Sequence, residues 1–337
     1  MKLAIFCTGG TKLGFGHFFR SRTFAKAAPD GTQVLLLPVV EEQDKHFFRE
    51  IADATFLCSD EEGALAAIDR FSPDVVVFDT VYCSDPFFTA ARKRSRLIVS
   101  ISPVFNHMER VDYLFTRNFH ALQMGSVGIY KGLEFAVFNE HCDVIPDDVY
   151  AHHILRPYLT IGVAMGGGDA PNKTLRVLQA ISRVDVPCTF WVLLGEGYRH
   201  SYQDLVDTIR RDSNHEIILA KTNRSMWNVL SNCTIAILAG GLTTIEAIHA
   251  GLPSLNIFEK PDHVVAMGRE VFDLGIAEDM GLFGEGALQQ LADRVRYLSA
   301  NRDVLLSMRK NSKGKVDQLG PARIYKRIAQ IVREGYV

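Results

Sequence analysis

The amino-acid sequence predicts an α/β protein made of two doubly wound, parallel-sheet domains. Three observations carry that expectation. Short, continuously apolar runs alternate with amphipathic segments, the alternation restarts near residue 150, and a glycine-rich loop follows the first apolar run of each half. Continuous apolar runs bounded by polar turns suit strands covered on both faces, and their alternation with helical patterns marks βαβ units.

In the first half the strand-like runs are "LAIFC" (3–7), "QVLLLPV" (33–39), "ATFLC" (54–58), "DVVVFD" (74–79), "RLIVSI" (96–101) and "DYLFT" (112–116). Amphipathic stretches such as "HFFRSRTFAKAA" and "DEEGALAAIDRF" lie between them. The polar stretch "EHCDVIPDDVYAHHILRP" then precedes "YLTIGVAM", "CTFWVLL", "EIILA", "TIAILA" and "PSLNIF". The expected division is an N-terminal domain over 1–150 and a C-terminal domain over 151–320. The ending "GPARIYKRIAQIVREGY" reads as a helix over 321–337, with Pro321 in its first turn, where a missing N–H does no harm.

Composition narrows the function classes. Of the 337 residues, 47% are hydrophobic and 23% charged, as in a soluble globular protein with a sizeable core. A formal net charge of -2 supplies no global basic field for nucleic acid. The six cysteines are scattered without a CxxC pair, which fits reduced, buried thiols in a cytoplasmic protein. Only about five apolar residues follow Lys2, too few for a signal peptide, and no run approaches the roughly 20 needed to span a bilayer. His120, His152 and His153 have no carboxylate or cysteine at ligand spacing, so neither a metal nor a cofactor is expected.

The loops are more specific. "GGTKLGFGH" (9–17) joins the first strand to the first helix, at the sheet edge where doubly wound folds bind ligands. It lacks the G-x-G-x-x-G dinucleotide fingerprint and the Walker pattern. Gly14 and Gly16 let backbone approach a ligand and place His17 at a helix N-terminus, whose positive dipole end disfavours a charged imidazole. A neutral His17 can take a proton from water or a hydroxyl; alternatively it caps the helix or packs on the sheet. In the second half, Gly166, Gly167, Gly168 and Asp169 precede a helix that Pro171 is placed to start. Its N–H groups suit an anion such as a diphosphate, and Asp169 also suits an N-cap. In "ILAGGLTTIEAIHAGLPSL" (237–255), Gly240 and Gly241 end a strand and Thr243 or Thr244 opens a helix. Glu246, three residues after Thr243, fits a capping box and fits a grip on a ribose diol equally well.

Taken in order, "GFGHFFR", "GGGDAPNKT", the Asn223–Met226 stretch, "AGGLTTIEAIHAGLPSL" and "VDQLGPARI" resemble the UDP-sugar hydrolases of pseudaminic acid biosynthesis and the related spore-coat polysaccharide proteins. These are similar in turn to the N-acetylglucosaminyltransferase of peptidoglycan synthesis. The resemblance covers nearly the whole chain. It implies a GT-B fold: two Rossmann-like domains facing a central cleft, with the C-terminal helix packing back on the first. It also implies that the C-terminal half binds the nucleotide. Gly167, Gly168 and Asp169 would lie by the diphosphate, and Asn223 and Met226 by the base. Gly240 and Gly241 belong to the same nucleotide site; Thr243 and Thr244 would contact phosphate, and Glu246 the ribose. In the first half the resemblance makes His17 the catalytic residue, with Arg20, Asp79 and Tyr82 beside Gly14 and Gly16 on the sugar side.

The chain departs from that family where Phe6-Cys7-Thr8 replaces an R-A-D sequence and where Tyr82 is displaced by one residue. "SPVFNH" (102–107) replaces an acidic element, and Asp262-His263 stands for an Asn-Gln pair, which puts His263 on the nucleotide side. The implied activity is hydrolysis of a UDP-activated amino or deoxy sugar in bacterial surface or flagellar glycan synthesis. An inverting glycosyltransferase, with His17 deprotonating an acceptor, is the second reading, and a binding protein without chemistry the third.

Overall fold

The structure is a computed structural model that describes residues 1–11, 14–45, 48, 57–117, 125–211, 214–221 and 225–335, the side chains of 266 and 270 excepted. The chain divides into two units, residues 1–139 with 317–337, and residues 140–316.

The first unit holds β1 (Lys2–Gly9), β2 (Gln33–Val40), β3 (Val75–Asp79), β4 (Leu97–Ser100), β5 (Tyr113–Thr116) and β6 (Gly128–Lys131). They are parallel throughout, in the order β2-β1-β3-β4-β5-β6. The unbroken apolar run of β1 has a direct cause in the pleat. Leu3 and Ile5 enter one core with Phe24, Val75 and Val77, whereas Ala4 and Phe6 enter the other with Ile68, Phe87 and Phe88. Alternate residues point to opposite faces and both faces are buried, so the run from Leu3 to Cys7 is apolar at every position. Full burial of one such Val, Leu or Phe side chain contributes about 1.5–3 kcal/mol.

The C-terminal helix Gly320–Glu334 belongs to this unit. Ile324, Tyr325, Ile328 and Ile331 fall on one face and complete the first of those cores. Tyr325 stacks on Phe24 with ring centroids 4.4 Å apart, and its hydroxyl donates to the Phe24 carbonyl at 3.1 Å. Gly320 sits so close to the Ala136 carbonyl that any Cβ there would collide with it.

The second unit holds β7 (Leu159–Ala164), β8 (Cys188–Leu194), β9 (Glu216–Lys221), β10 (Ile235–Leu238), β11 (Ser254–Phe258) and β12 (Glu278–Leu282). Their order is β12-β11-β10-β7-β8-β9, again all parallel. In each unit the direction of winding reverses once, between β1 and β3 in the first and between β7 and β10 in the second. Open parallel sheets bind ligands at the carboxyl ends of strands beside such a reversal. In the first unit that position collects the loop after β1 and the end of β3; in the second, the loops after β7 and β10.

Two edge strands were not expected. β6 is only half buried and β12 reads "EDMGL", so neither presents the continuous apolar run that reveals an inner strand. Of the expected strand "ATFLC", residues 54–56 lie outside the described residues, and Cys58 forms an isolated parallel bridge with Val39. Among the described residues, no helix is long and apolar enough to cross a membrane.

Candidate active site

The loop after β1 is held shut at its base. The Gly10 N–H donates to the Gly14 carbonyl at 3.1 Å, and both glycines take positive φ, +150° and +82°. A side chain at Gly10 would meet Asp44 Oδ2 at 2.7 Å. That carboxylate accepts from the Thr11 N–H at 2.9 Å and from the Thr11 hydroxyl, pinning the loop to the turn that follows β2. At Gly14 and Gly16, by contrast, an added Cβ would meet no atom within 4 Å. The residues Lys12 and Leu13 lie outside the described residues.

The helix Gly16–Lys26 starts directly after this loop, with Phe15 at its N-cap and no side-chain cap. His17, Arg20 and Ser21 are spaced i, i+3 and i+4, so they share one face. All three reach Asp79, the last residue of β3, whose side chain is fully buried. Arg20 Nε donates to Oδ2 at 2.9 Å and Nη2 donates to Oδ1; Ser21 and Ser102 hydroxyls donate at 2.9 and 3.1 Å. His17 Nδ1 stands 2.7 Å from Oδ1. Burial alone would raise the Asp79 pKa, but the Arg20 guanidinium and the His17 ring outweigh it and hold the carboxyl well below the usual range.

That ionisation fixes the imidazole. A carboxylate has no proton to give, so the proton in the 2.7 Å contact sits on His17 Nδ1. Arg20 Nη2, 2.9 Å from the same nitrogen, donates to Asp79. With Nδ1 committed to Asp79, Nε2 is the ring nitrogen left to exchange a proton, and 19% of the side chain remains open. An imidazole oriented through Nδ1 by a buried carboxylate is the arrangement of a positioned general base. Asp79 is fully buried beneath the histidine, whereas Tyr82 is 54% exposed and packs its ring beside Phe105.

The second unit's loops correct two local expectations. The helix after β7 runs Lys173–Ile181, starting two residues past Pro171, with Asn172 at the N-cap. Asp169 caps it from further back: its carboxylate accepts from the Lys173 and Thr174 N–H groups, each at 2.8 Å. Those donors are therefore taken by protein, while Gly166 keeps φ +101° with open space around it. The Gly167 carbonyl accepts from the Gly197 N–H at 3.0 Å, and its backbone leaves no room for a Cβ at Gly195. Burial raises the Asp169 pKa despite its N–H partners.

After β10 the helix is Leu242–Ala250 and its N-cap is Gly241, so Thr243 opens no helix and the capping box does not form. The cap lies two residues earlier than Thr243, after Gly240 adopts φ +63° against the Phe258 ring, where only glycine fits. Thr244 is buried and donates to Asn256 Oδ1 on β11 at 2.6 Å. Glu246, also buried, accepts from the Trp227 indole N–H at 2.9 Å. Met226 is the N-cap of the short helix Trp227–Leu230, and Asn223 lies outside the described residues, as does His120. His263 is half-buried on the helix Pro261–Met267, and burial lowers its pKa. Close to it, Lys173 Nζ pairs with Glu259 Oε2 at 3.1 Å. The structure thus gathers Gly166–Asp169 and Gly240–Glu246 at adjacent strand ends, β7 and β10.

Known proteins place the chain at the level of fold. No protein-family model matches it. It is 21% identical over 287 residues to the uncharacterized Methanocaldococcus jannaschii protein MJ1062, covering 81% of this chain and 58% of that protein. It is 21% identical over 335 residues to the spore coat polysaccharide biosynthesis protein SpsG of Bacillus subtilis, covering 96% of each. Among solved structures, Acinetobacter baumannii MurG superposes with a TM-score of 0.66 at 15% identity, over 98% of this chain and 100% of that one. Anabaena HepE in complex with UDP-glucose gives 0.62 at 12% identity, over 99% and 100%. The two six-stranded parallel-sheet units are those of the GT-B fold.

Four side chains of these sites escaped the sequence reading: Ser21, Ser102, Asp44 and Trp227. Ser21 was legible, since "HFFRS" sets it on the face of His17 and Arg20. The others reach their partners across 23, 33 and 19 residues of chain, and no local pattern announces such contacts.

Proposed function

We propose that the chain is an enzyme that hydrolyses a UDP-linked sugar, releasing UDP and free sugar in the synthesis of a bacterial surface glycan. The observation that carries this reading is the His17–Asp79 pair at the winding reversal of the first sheet. His17 Nε2 takes a proton from water as the water oxygen bonds to the anomeric carbon; the bond from that carbon to the diphosphate oxygen breaks, and UDP departs with the electron pair. Asp79 remains ionised and stabilises the imidazolium that forms. The second unit binds the nucleotide, with Gly166–Asp169 and Thr243 near the diphosphate and Glu246 at the ribose. The likeness to SpsG and to a protein bound to UDP-glucose supports this choice of substrate class.

The deciding experiment supplies UDP-amino sugars in oxygen-18 water without any acceptor. Full turnover with the label in the sugar is the expected result. Turnover that waits for an added acceptor hydroxyl would make the enzyme a glycosyltransferase, and label in UDP would mean attack at phosphorus and defeat the mechanism.

A further inference from the structure

Arg117 follows directly on β5 and is not among the groups that donate to Asp79. Its position is set by register: β5 pairs in parallel with β4, and Ser100 lies opposite Leu114. Arg117 therefore stands at the same carboxyl edge as Asp79, with the end of β4 between them. Ser102, just past β4, already reaches Asp79 there.

Among the described residues the guanidinium pairs with no anion. Its Nε is closed off from solvent without a hydrogen-bond partner, and among the described residues no carboxylate pairs with it. The charged groups acting on it are Arg20, which opposes its charge, and Asp79, which favours it. Asp79 cannot serve as its partner, because its oxygens already accept from Arg20, Ser21, Ser102 and His17. Arg20 cancels the one carboxylate, so the cluster keeps a net positive charge. Burial and Arg20 together push the Arg117 pKa down to about 9, still cationic at neutral pH. A half-buried guanidinium whose Nε is shut off from water without a partner is unfavourable on its own and becomes favourable when an oxyanion completes its fork.

We infer that Arg117 binds an oxyanion of the substrate in the first unit, beside His17 and Asp79. Two sources share that chemistry, the diphosphate and a carboxylate on the sugar. The inference depends on the nucleotide-sugar reading only for the substrate that carries the charge.

The test compares the wild-type full chain with Arg117→Gln and Arg117→Met, titrated calorimetrically with UDP, UDP-glucose and UDP-glucuronate. Loss of about tenfold or more in affinity for all three assigns Arg117 to the diphosphate. The same loss confined to UDP-glucuronate assigns it to a sugar carboxylate. Affinities unchanged in both folded variants overturn the inference. Without ligand, Arg117→Met should melt at or above the wild-type temperature, since it removes an uncompensated charge. A clear fall in both variants marks a structural arginine and also overturns it. If the wild type binds none of the three, the nucleotide reading fails separately. Inorganic phosphate then decides: saturable thermal stabilisation that Arg117→Gln lacks supports the anion site, and equal stabilisation refutes it.

Discussion

His17 Nδ1 lies 2.7 Å from Asp79 Oδ1, and the carboxylate is locked from its other sides by Arg20, Ser21 and Ser102. Asp79 thereby fixes which ring nitrogen is basic. In Asp79→Asn the amide can present an N–H to Nδ1, which moves the ring proton to Nε2 and removes the base. Turnover should fall by about 10²–10⁴-fold, the usual contribution of a general base, while UDP affinity stays at the wild-type level. Steady-state kinetics with calorimetric titration of UDP check this; parallel loss of binding and turnover would refute it.

The same carboxylate links stability to pH. Its folded-state pKa lies below the unfolded value, so its contribution is fully present above that unfolded value, about 3.9, and is lost as pH falls toward the folded pKa. Urea unfolding of the wild type should therefore steepen in pH dependence below about pH 4, and Asp79→Asn should lack that component. Asp79→Ala, which strands the buried Arg20, should cost about 3–5 kcal/mol at neutral pH. Equal acid slopes in wild type and Asp79→Asn would show that the pair does not govern acid stability.

Gly10 offers a structural control on the loop that leads to His17. Its φ of +150°, and the 2.7 Å that would separate a Cβ there from Asp44 Oδ2, make Gly10→Ala unfavourable by about 1–3 kcal/mol. Asp44→Ala removes the clash but leaves the backbone cost, so the double variant should be less destabilised than the sum of the singles. Chemical denaturation of the four proteins measures that coupling, and strict additivity would mean the loop relaxes away from Asp44.

Much of this was legible in the sequence, for a definite reason. Inner parallel strands such as β1 and β3 bury both faces, so their apolar runs need no tertiary information to be recognised. The glycine loops were legible because positive φ at Gly14, Gly166 and Gly240 excludes most other residues. The edge strands β6 and β12, half exposed, carry no such signature. Helix starts were misjudged at Thr243 and Pro171 because capping depends on the loop's path, which Gly241 and Asp169 set. Partners distant in the chain, such as Asp44 for Thr11, were invisible for the same reason.

Trp227 and Glu246 supply the most specific test of the proposed nucleotide site. The indole N–H donates to Glu246 Oε2 at 2.9 Å, and both side chains are buried. If Glu246 grips the ribose diol, that bond orients the carboxylate for it. Trp227→Phe keeps the aromatic bulk and deletes only the N–H, so packing is largely retained while the carboxylate loses its anchor. A hydrogen bond to a charged group is worth about 1.5–3 kcal/mol, or roughly ten- to hundredfold in affinity when fully expressed. UDP should accordingly bind Trp227→Phe about tenfold more weakly, whereas 2′-deoxy-UDP, which offers Glu246 one hydroxyl fewer, should be affected less. The ratio of the two affinities is the decisive quantity, because general destabilisation would weaken both alike. Equal losses for UDP and 2′-deoxy-UDP would detach Glu246 from the ribose and leave its bond to Trp227 a purely structural one.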